Sequence, residues 1–382
     1  MSDLNAFLHR VVAAPALSGP LAGVSVGVKA NIAVAGWPFH AGIGAWANRV
    51  AAEDAEVIRR LRDAGAAICG VLNMEEAALG AKTDNPHFGP THNPHRYGYS
   101  PGGSSGGSGA AVAAGECDAA LGTDTLGSVR IPAAHCGVYG FKPATDRVSP
   151  DGLEPAHPAF DAIGPLARDL DLLERIARVI SRFGDGASTG EGAVLVGHAV
   201  ELDSVVNQAC DAAVTALPAA PAKEVLDYPA GRIRYAAFME VSRFLADHLR
   251  GVAVSDQLSR LLAHGPQRPL GKQAEDRGIL VRTREQVRHI VAERGFLLLP
   301  TVPNPPFPHD RPEPAAQADF TCLANIAGLP ALALPAGWTA EGLPVGVQIV
   351  GREGHEQGLF ALARQLDGRL RAYRPPNAGE SP

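Results

Sequence analysis

Apolar and polar positions recur with two different periods along this chain, and the periods predict its elements. Val24, Val26 and Val28 repeat at every second position, which predicts a strand with Lys29 at its end. Val57, Ile58 and Leu61 share one helical face of AAEDAEVIRRLRDAGA, with charges elsewhere and Gly65 as the stop. AAICGVLN reads as a buried strand, so strand, helix and strand make a βαβ unit with a right-handed crossover. Residues 3 to 12 read as a short first helix capped by Ser2 or Asp3. Ala110 to Gly115 predicts a helix, Cys117 to Gly122 a buried strand, and residues 169 to 182 another helix. Toward the end, FLLLPTVP, FTCLANIAGLPALALPAG and GLPVGVQIVG predict strands around turns, and EQGLFALARQLDGRL a closing amphipathic helix. Between 190 and 295 the pattern is helical, as in YAAFMEVSRFLADHLRG, and the basic run Arg260 to Arg294 reads as a solvated helix face.

Composition narrows the class. The 382 residues are 46% hydrophobic, enough for a sizeable core, while 43 glycines and 31 prolines imply many loops. A net charge of −6 without any Lys/Arg block points away from nucleic acid or an anionic membrane and toward a small, roughly neutral partner. Cys69, Cys117, Cys136, Cys210 and Cys322 are widely spaced and lie in apolar surroundings, as reduced core residues of a cytoplasmic protein do. No Cys/His spacing suggests a metal site. MSDLNAFLHRVV lacks the pattern of a signal peptide, and no 18-residue apolar run is present to span a membrane.

Chemistry concentrates between Tyr99 and Thr145. Five glycines, Gly102, Gly103, Gly106, Gly107 and Gly109, surround Ser104, Ser105 and Ser108, and a second hydroxyl, Ser128, follows in TDTLGS. The polar, turn-rich stretch from Lys82 to Gly103 leads into these serines, and a loop of that length is usually functional. GGSSG satisfies the G-x-S-x-G elbow, but HRYGYSP before it is a poor strand, which that motif requires. GSGAAV is a truncated dinucleotide fingerprint without its third glycine. The third reading is a serine nucleophile activated by a lysine through a second serine, since a serine needs a base within hydrogen-bond reach. Lys29 is the one charged residue between Arg10 and Arg49, and desolvation would favour its neutral form. Spacing alone leaves open whether Ser104 or Ser128 attacks. His135 reads as a core or loop residue, whereas His87, His92 and His95 lie in the loop over the serines.

SPGGSSGGSGAAVAAG followed by LGTDTLGSVRIPAAHCGVYGFKP resembles the signature of the amidase signature family of amide hydrolases. GVKAN, the NMEEAALG to NPHFGPTHNP segment, NIAGLPALALPAG and GLPVGVQIVG resemble its other blocks. The resemblance covers most of residues 20–180 and 295–367; the span of about 185–290 matches loosely, as a variable, substrate-shaping region. It implies one domain over residues 1–382, an α/β/α fold around a mixed, mostly parallel sheet. It also implies cofactor-free and metal-free hydrolysis of a linear amide. By the same resemblance Lys29 is the base, Ser104 the bridging serine beside a cis peptide bond, and Ser128 the nucleophile. Thr125, Leu126, Gly127 and Ser128 supply the oxyanion hole, and Ser105, Asp124 and Arg130 support the site. Leu126 replaces a glycine usual in the family and Ala30 a usual Asp, which puts the acyl-group shape, not the reaction class, at issue. The expected setting is a cytoplasmic amidase acting on a small or medium acyl amide without nucleic acid or membrane, as a possible homodimer. The alternative is the glutamine-cleaving subunit of a tRNA-dependent amidotransferase.

Overall fold

Side chains alternate across strands, and here that alternation sorts the core into layers. The computed structural model describes residues 4–12, 18–187 and 190–376. In chain order its elements are β1 (Phe7–Arg10), β2 (Ser25–Lys29), α1 (Glu56–Asp63), β3 (Ala67–Leu72), β4 (Asp84–Asn85), β5 (Gly89–Pro90), α2 (Gly106–Ala113) and β6 (Ala119–Asp124). Next come α3 (Arg130–Cys136), β7 (Tyr139–Lys142), β8 (Ala162–Ala167), α4 (Leu170–Ile180), β9 (Ala193–Leu195), α5 (Ser204–Thr215) and β10 (Ala222–Glu224). The remainder holds α6 (Ala230–His248), α7 (Asp256–Gln267), α8 (Leu270–Arg294), β11 (Phe296–Pro300), α9 (Cys322–Ala327), β12 (Ala331–Trp338), β13 (Pro344–Gly351) and α10 (Glu356–Leu370).

Eleven strands form one mixed sheet in the order β1-β3-β2-β6-β8-β7-β12-β13-β11-β9-β10. Leu332 and Leu334 of β12 enter the core shared with α1, α4, α5 and α10, whereas Ala333 faces α2 and α3. On that second side α6, α8 and α9 build their own apolar cluster with Leu297 and Leu299 of β11. The expected α/β fold with helices on both faces is therefore present. The sheet is mixed: β3-β2-β6 and β11-β9-β10 are parallel groups, and β1–β3 and the pairs between β6 and β11 run antiparallel. The short β12–β13 connection makes a hairpin, which can only be antiparallel.

Three local expectations are corrected. Phe7–Arg10 is a strand, not a helix, because it finds an open edge on β3, pairing Arg10 with Gly70 and Phe7 with Leu72; a short helix has no such partner and is marginal. Ser2 and Asp3 lie outside the described residues. Helix α2 starts at Gly106, within the glycine stretch read as loop. Cys322–Ala327, read as strand, is a buried helix closed by Gly328 at φ +69. Among the described residues no helix is long and apolar enough to cross a membrane.

Candidate active site

Strand β2 is interior and parallel to both neighbours, so its C-terminal end opens onto loops, where α/β folds place ligands. Lys29 sits at that end, fully buried. Its Nζ lies 2.7 Å from Ser104 Oγ and 2.7 Å from Thr123 Oγ1. Burial pulls the amine from its usual 10.5 to about 7, against the opposing charges of Asp161, Asp124 and Glu75. An amine poised near neutrality beside a hydroxyl is equipped for proton transfer. Thr123 accepts a second hydrogen bond, from Asn31 Nδ2 at 3.2 Å.

Ser104 is held by backbone rather than by its own side chain. The Gly103–Ser104 peptide is cis, and Gly102 takes φ +81, open to glycine. Thr83 Oγ1 donates to Gly102 O at 2.8 Å and accepts from Gly106 N at 3.0 Å, clamping the turn from both sides. A Cβ on Gly106 would stand 2.4 Å from that same hydroxyl oxygen, so only glycine lets the clamp close. Glu75 N donates to Ser104 O at 3.1 Å, and the Glu75 carboxylate accepts from Thr83 N. Burial and the nearby Glu313 push the Glu75 carboxyl up to about 8.

The second hydroxyl follows β6. Thr125 Oγ1 donates to Asp161 Oδ1 at 2.6 Å, and Leu126 O accepts from Thr321 Oγ1 at 2.6 Å. Gly127 adopts φ +137, and a Cβ there would stand 2.2 Å from Thr321 Oγ1. Ser128 ends the loop at 8% exposure, whereas Lys29 and Ser104 are at 0%. Its hydroxyl and the N–H groups of Leu126, Gly127 and Ser128 find no hydrogen-bond partner among the described residues.

Beneath this loop the charged groups are saturated. Arg130 and Asp124 form a fully buried pair, with Nε to Oδ2 at 3.0 Å and Nη2 to Oδ1 at 2.8 Å. Arg130 also reaches Gln348 Oε1 at 2.6 Å and Asn325 Oδ1 at 2.7 Å, and Asn325 Nδ2 returns to Asp124 at 2.9 Å. The arginine outweighs burial and holds Asp124 near 2. Ser105 Oγ bonds Thr123 O at 3.2 Å and ties α2 to β6.

Lys29 and Ser104 thus meet, with Ser105, Asp124 and Arg130 around them; no hydrogen bond joins Ser128 to either among the described residues. Thr123, Asn31, Glu75, Thr83, Asp161, Asn325 and Gln348 were not singled out from sequence. Thr123 had a signal, as a polar residue near a strand end in the block around Ser128; Asp161 stands just ahead of β8, outside that block, and Asn325 and Gln348 arrive from some 200 residues away. The histidines are used elsewhere: His87 bonds Glu76 at 3.0 Å, His95 bonds Cys136 O at 2.9 Å, and buried His135 is pushed down to about 4. Among the described residues no group of three or more His, Cys, Asp or Glu is placed to hold a metal ion.

The family model described as Amidase matches residues 8–193 and 197–360. The chain belongs to the amidase family. Its similarity to other amidase-family proteins runs through nearly the whole chain. It is 37% identical to a glutamyl-tRNA(Gln) amidotransferase subunit of Natronomonas pharaonis, over 95% of this chain and 99% of that protein. The crystal structure of the corresponding glutamyl-tRNA(Gln) amidotransferase subunit from Thermotoga maritima superposes with a TM-score of 0.86 at 27% identity, covering 98% of this chain and 91% of that one. 6-Aminohexanoate cyclic dimer hydrolase, solved with its substrate, gives a TM-score of 0.82 at 27% identity, over 98% and 91% of the two chains. The expected partners are corrected by these likenesses. A setting of small molecule alone, without nucleic acid, does not stand beside relatives named as one subunit of a glutamyl-tRNA(Gln) amidotransferase. A net charge summed over 382 residues conceals local patches and says nothing of partner chains.

Proposed function

We propose that this amidase-family chain is the amide-cleaving subunit of a tRNA-dependent amidotransferase, releasing ammonia from glutamine through a Ser128–Ser104–Lys29 relay. The observation that carries the chemistry is Lys29 Nζ at 2.7 Å from Ser104 Oγ, with the amine brought to about 7. Thr123 Oγ1, already accepting from Asn31, anchors an amine hydrogen and leaves the lone pair of neutral Lys29 for the Ser104 proton. Ser104 in turn takes the proton of Ser128 as Ser128 Oγ bonds to the amide carbon. The unpaired N–H groups of Leu126, Gly127 and Ser128 receive the developing oxyanion, each worth roughly 3 kcal/mol when so aimed. Collapse breaks the C–N bond, the relay returns the proton to the departing nitrogen, and water then hydrolyses the acyl-serine. The near-complete coverage of relatives named as amidotransferase subunits supports the choice of setting.

The test is ammonia release from glutamine by the purified chain, alone and with the other subunits of a related amidotransferase. Activity that emerges only in the assembly is the expected result. Full-rate cleavage of simple amides by the chain alone, with no response to added subunits, would instead support a stand-alone amidase. That second reading has one observation in its favour: the Leu126 isobutyl group stands in the oxyanion loop, packed against the cluster of α6, α8 and α9, and reshapes the acyl side.

A further inference from the structure

On the sheet face carrying α1 and α4, a cavity of about 670 Å³ is lined by Arg60 of α1, Arg147, and Arg182 beyond α4. An adjoining cavity of about 200 Å³ shares Thr145, Asp146 and Pro158 with it and adds Arg284 and Arg288 of α8. Five guanidinium groups from separate parts of the chain therefore border one groove. The carboxylates lining it are Asp146, Asp161 and Glu353. Asp161 is turned inward, accepting from Thr125 Oγ1 and from the N–H groups of Ala156 and His157. Glu353 is shared between Arg147 at 3.0 Å and Arg288 at 3.8 Å. Arg60 spends Nε on Glu56, and Arg182 spends Nη2 on Asp146 O, which leaves other N–H groups of each unspent. The Arg284 side chain has no hydrogen bond or ion pair among the described residues. A Cβ built on Gly328 would stand 3.3 Å from Arg288 Nη2 and 3.4 Å from Arg284 Nη2, so two like charges converge on one point. In a chain of net charge −6 this is a local reversal of sign.

We propose that this arginine groove binds phosphoryl groups. Planar guanidinium forks match phosphate oxygens two at a time, and converging cations with unspent donors are stabilised by an anion between them. Through Asp161 the groove wall is joined to Thr125, so the groove lies behind the loop that ends at Ser128. This deepens the proposed function, and rests on it only for the source of the phosphate: an RNA backbone if the chain serves a tRNA-dependent assembly, a free phosphorylated molecule otherwise.

The test measures equilibrium binding of pyrophosphate and of a labelled single-stranded RNA to the intact chain, at two salt concentrations. Arg284→Gln removes a cation that no carboxylate holds, and Arg250→Gln, on a side chain 80% exposed outside the groove, is the control. The expected result is binding of at least one probe, weakened roughly tenfold by Arg284→Gln and by added salt and unchanged by Arg250→Gln. Binding of RNA assigns the backbone as source; binding of pyrophosphate alone assigns a free phosphate. Absence of binding by both probes, or equal weakening in the two variants, overturns the proposal. Because Ser128→Ala leaves the groove intact, it keeps binding whatever becomes of the amide-cleaving reading.

Discussion

Lys29 and Lys142 are both fully buried, and burial brings each amine from 10.5 to about 7. Their surroundings divide them. Lys29 ends on the hydroxyls of Ser104 and Thr123, while Lys142 Nζ donates to Pro143 O at 2.7 Å beside the Asp124–Arg130 pair. A lowered pKa makes an amine available as a base; a hydroxyl within reach gives it a proton to take. The carbonyl oxygen of Pro143 has none. The same contrast separates the two polar clusters, since the Lys29 side contains groups able to exchange protons and the Arg130 side contains charges locked by full hydrogen bonding.

The largest effect should come from Ser128→Ala, with a loss of turnover on the order of 10⁴-fold or more and an unchanged melting temperature. Retained turnover would remove Ser128 from the relay. Lys29→Met should cost about 10²- to 10⁴-fold and abolish the acid limb of the rate profile. In the parent chain that limb should have its midpoint near pH 7, activity rising with pH as the amine loses its proton.

Arg130→Ala is the test on the other side, because it strands the Asp124 carboxylate at 0% exposure. A destabilisation of about 3–5 kcal/mol is expected, seen in denaturant unfolding. Lys142→Met should do far less, within a few-fold in turnover and with the acid limb unmoved. If it instead matched Lys29→Met, the contrast between the two lysines would collapse. Between pH 7 and 10.5 the folded chain binds fewer protons at both lysines than the unfolded chain, so stability from these groups rises with pH across that window. Lys142→Met should flatten that rise. The smallest change belongs to Arg282→Gln, whose pair with Asp227 is 52% and 43% exposed and therefore screened by water; thermal melting should show no shift.

Much of this was legible along the chain. The period-two valines of β2, the amphipathic face of α1 and the closing helix α10 each carry enough repeated burial to declare themselves. Residues 7–10 and 322–327 are too short for period to decide; pairing with β3 and the reach of Asn325 to Asp124 decided them. The glycines around Ser104 announced crowding, but that Gly106 makes way for the Thr83 hydroxyl is a fact of packing between distant segments.

Residue chemistry and local spacing by themselves pointed to the α/β alternation and gathered Lys29, Ser104 and Ser128 into one set of candidates, while the family was legible through the resemblance of whole motifs. Tertiary structure decided which buried lysine meets a hydroxyl, that Thr123 shares it, and that arginines from positions 60 to 288 border one groove. The reason is physical: periodicity records which face of an element is buried, whereas desolvation and contact depend on what other elements bring against that face.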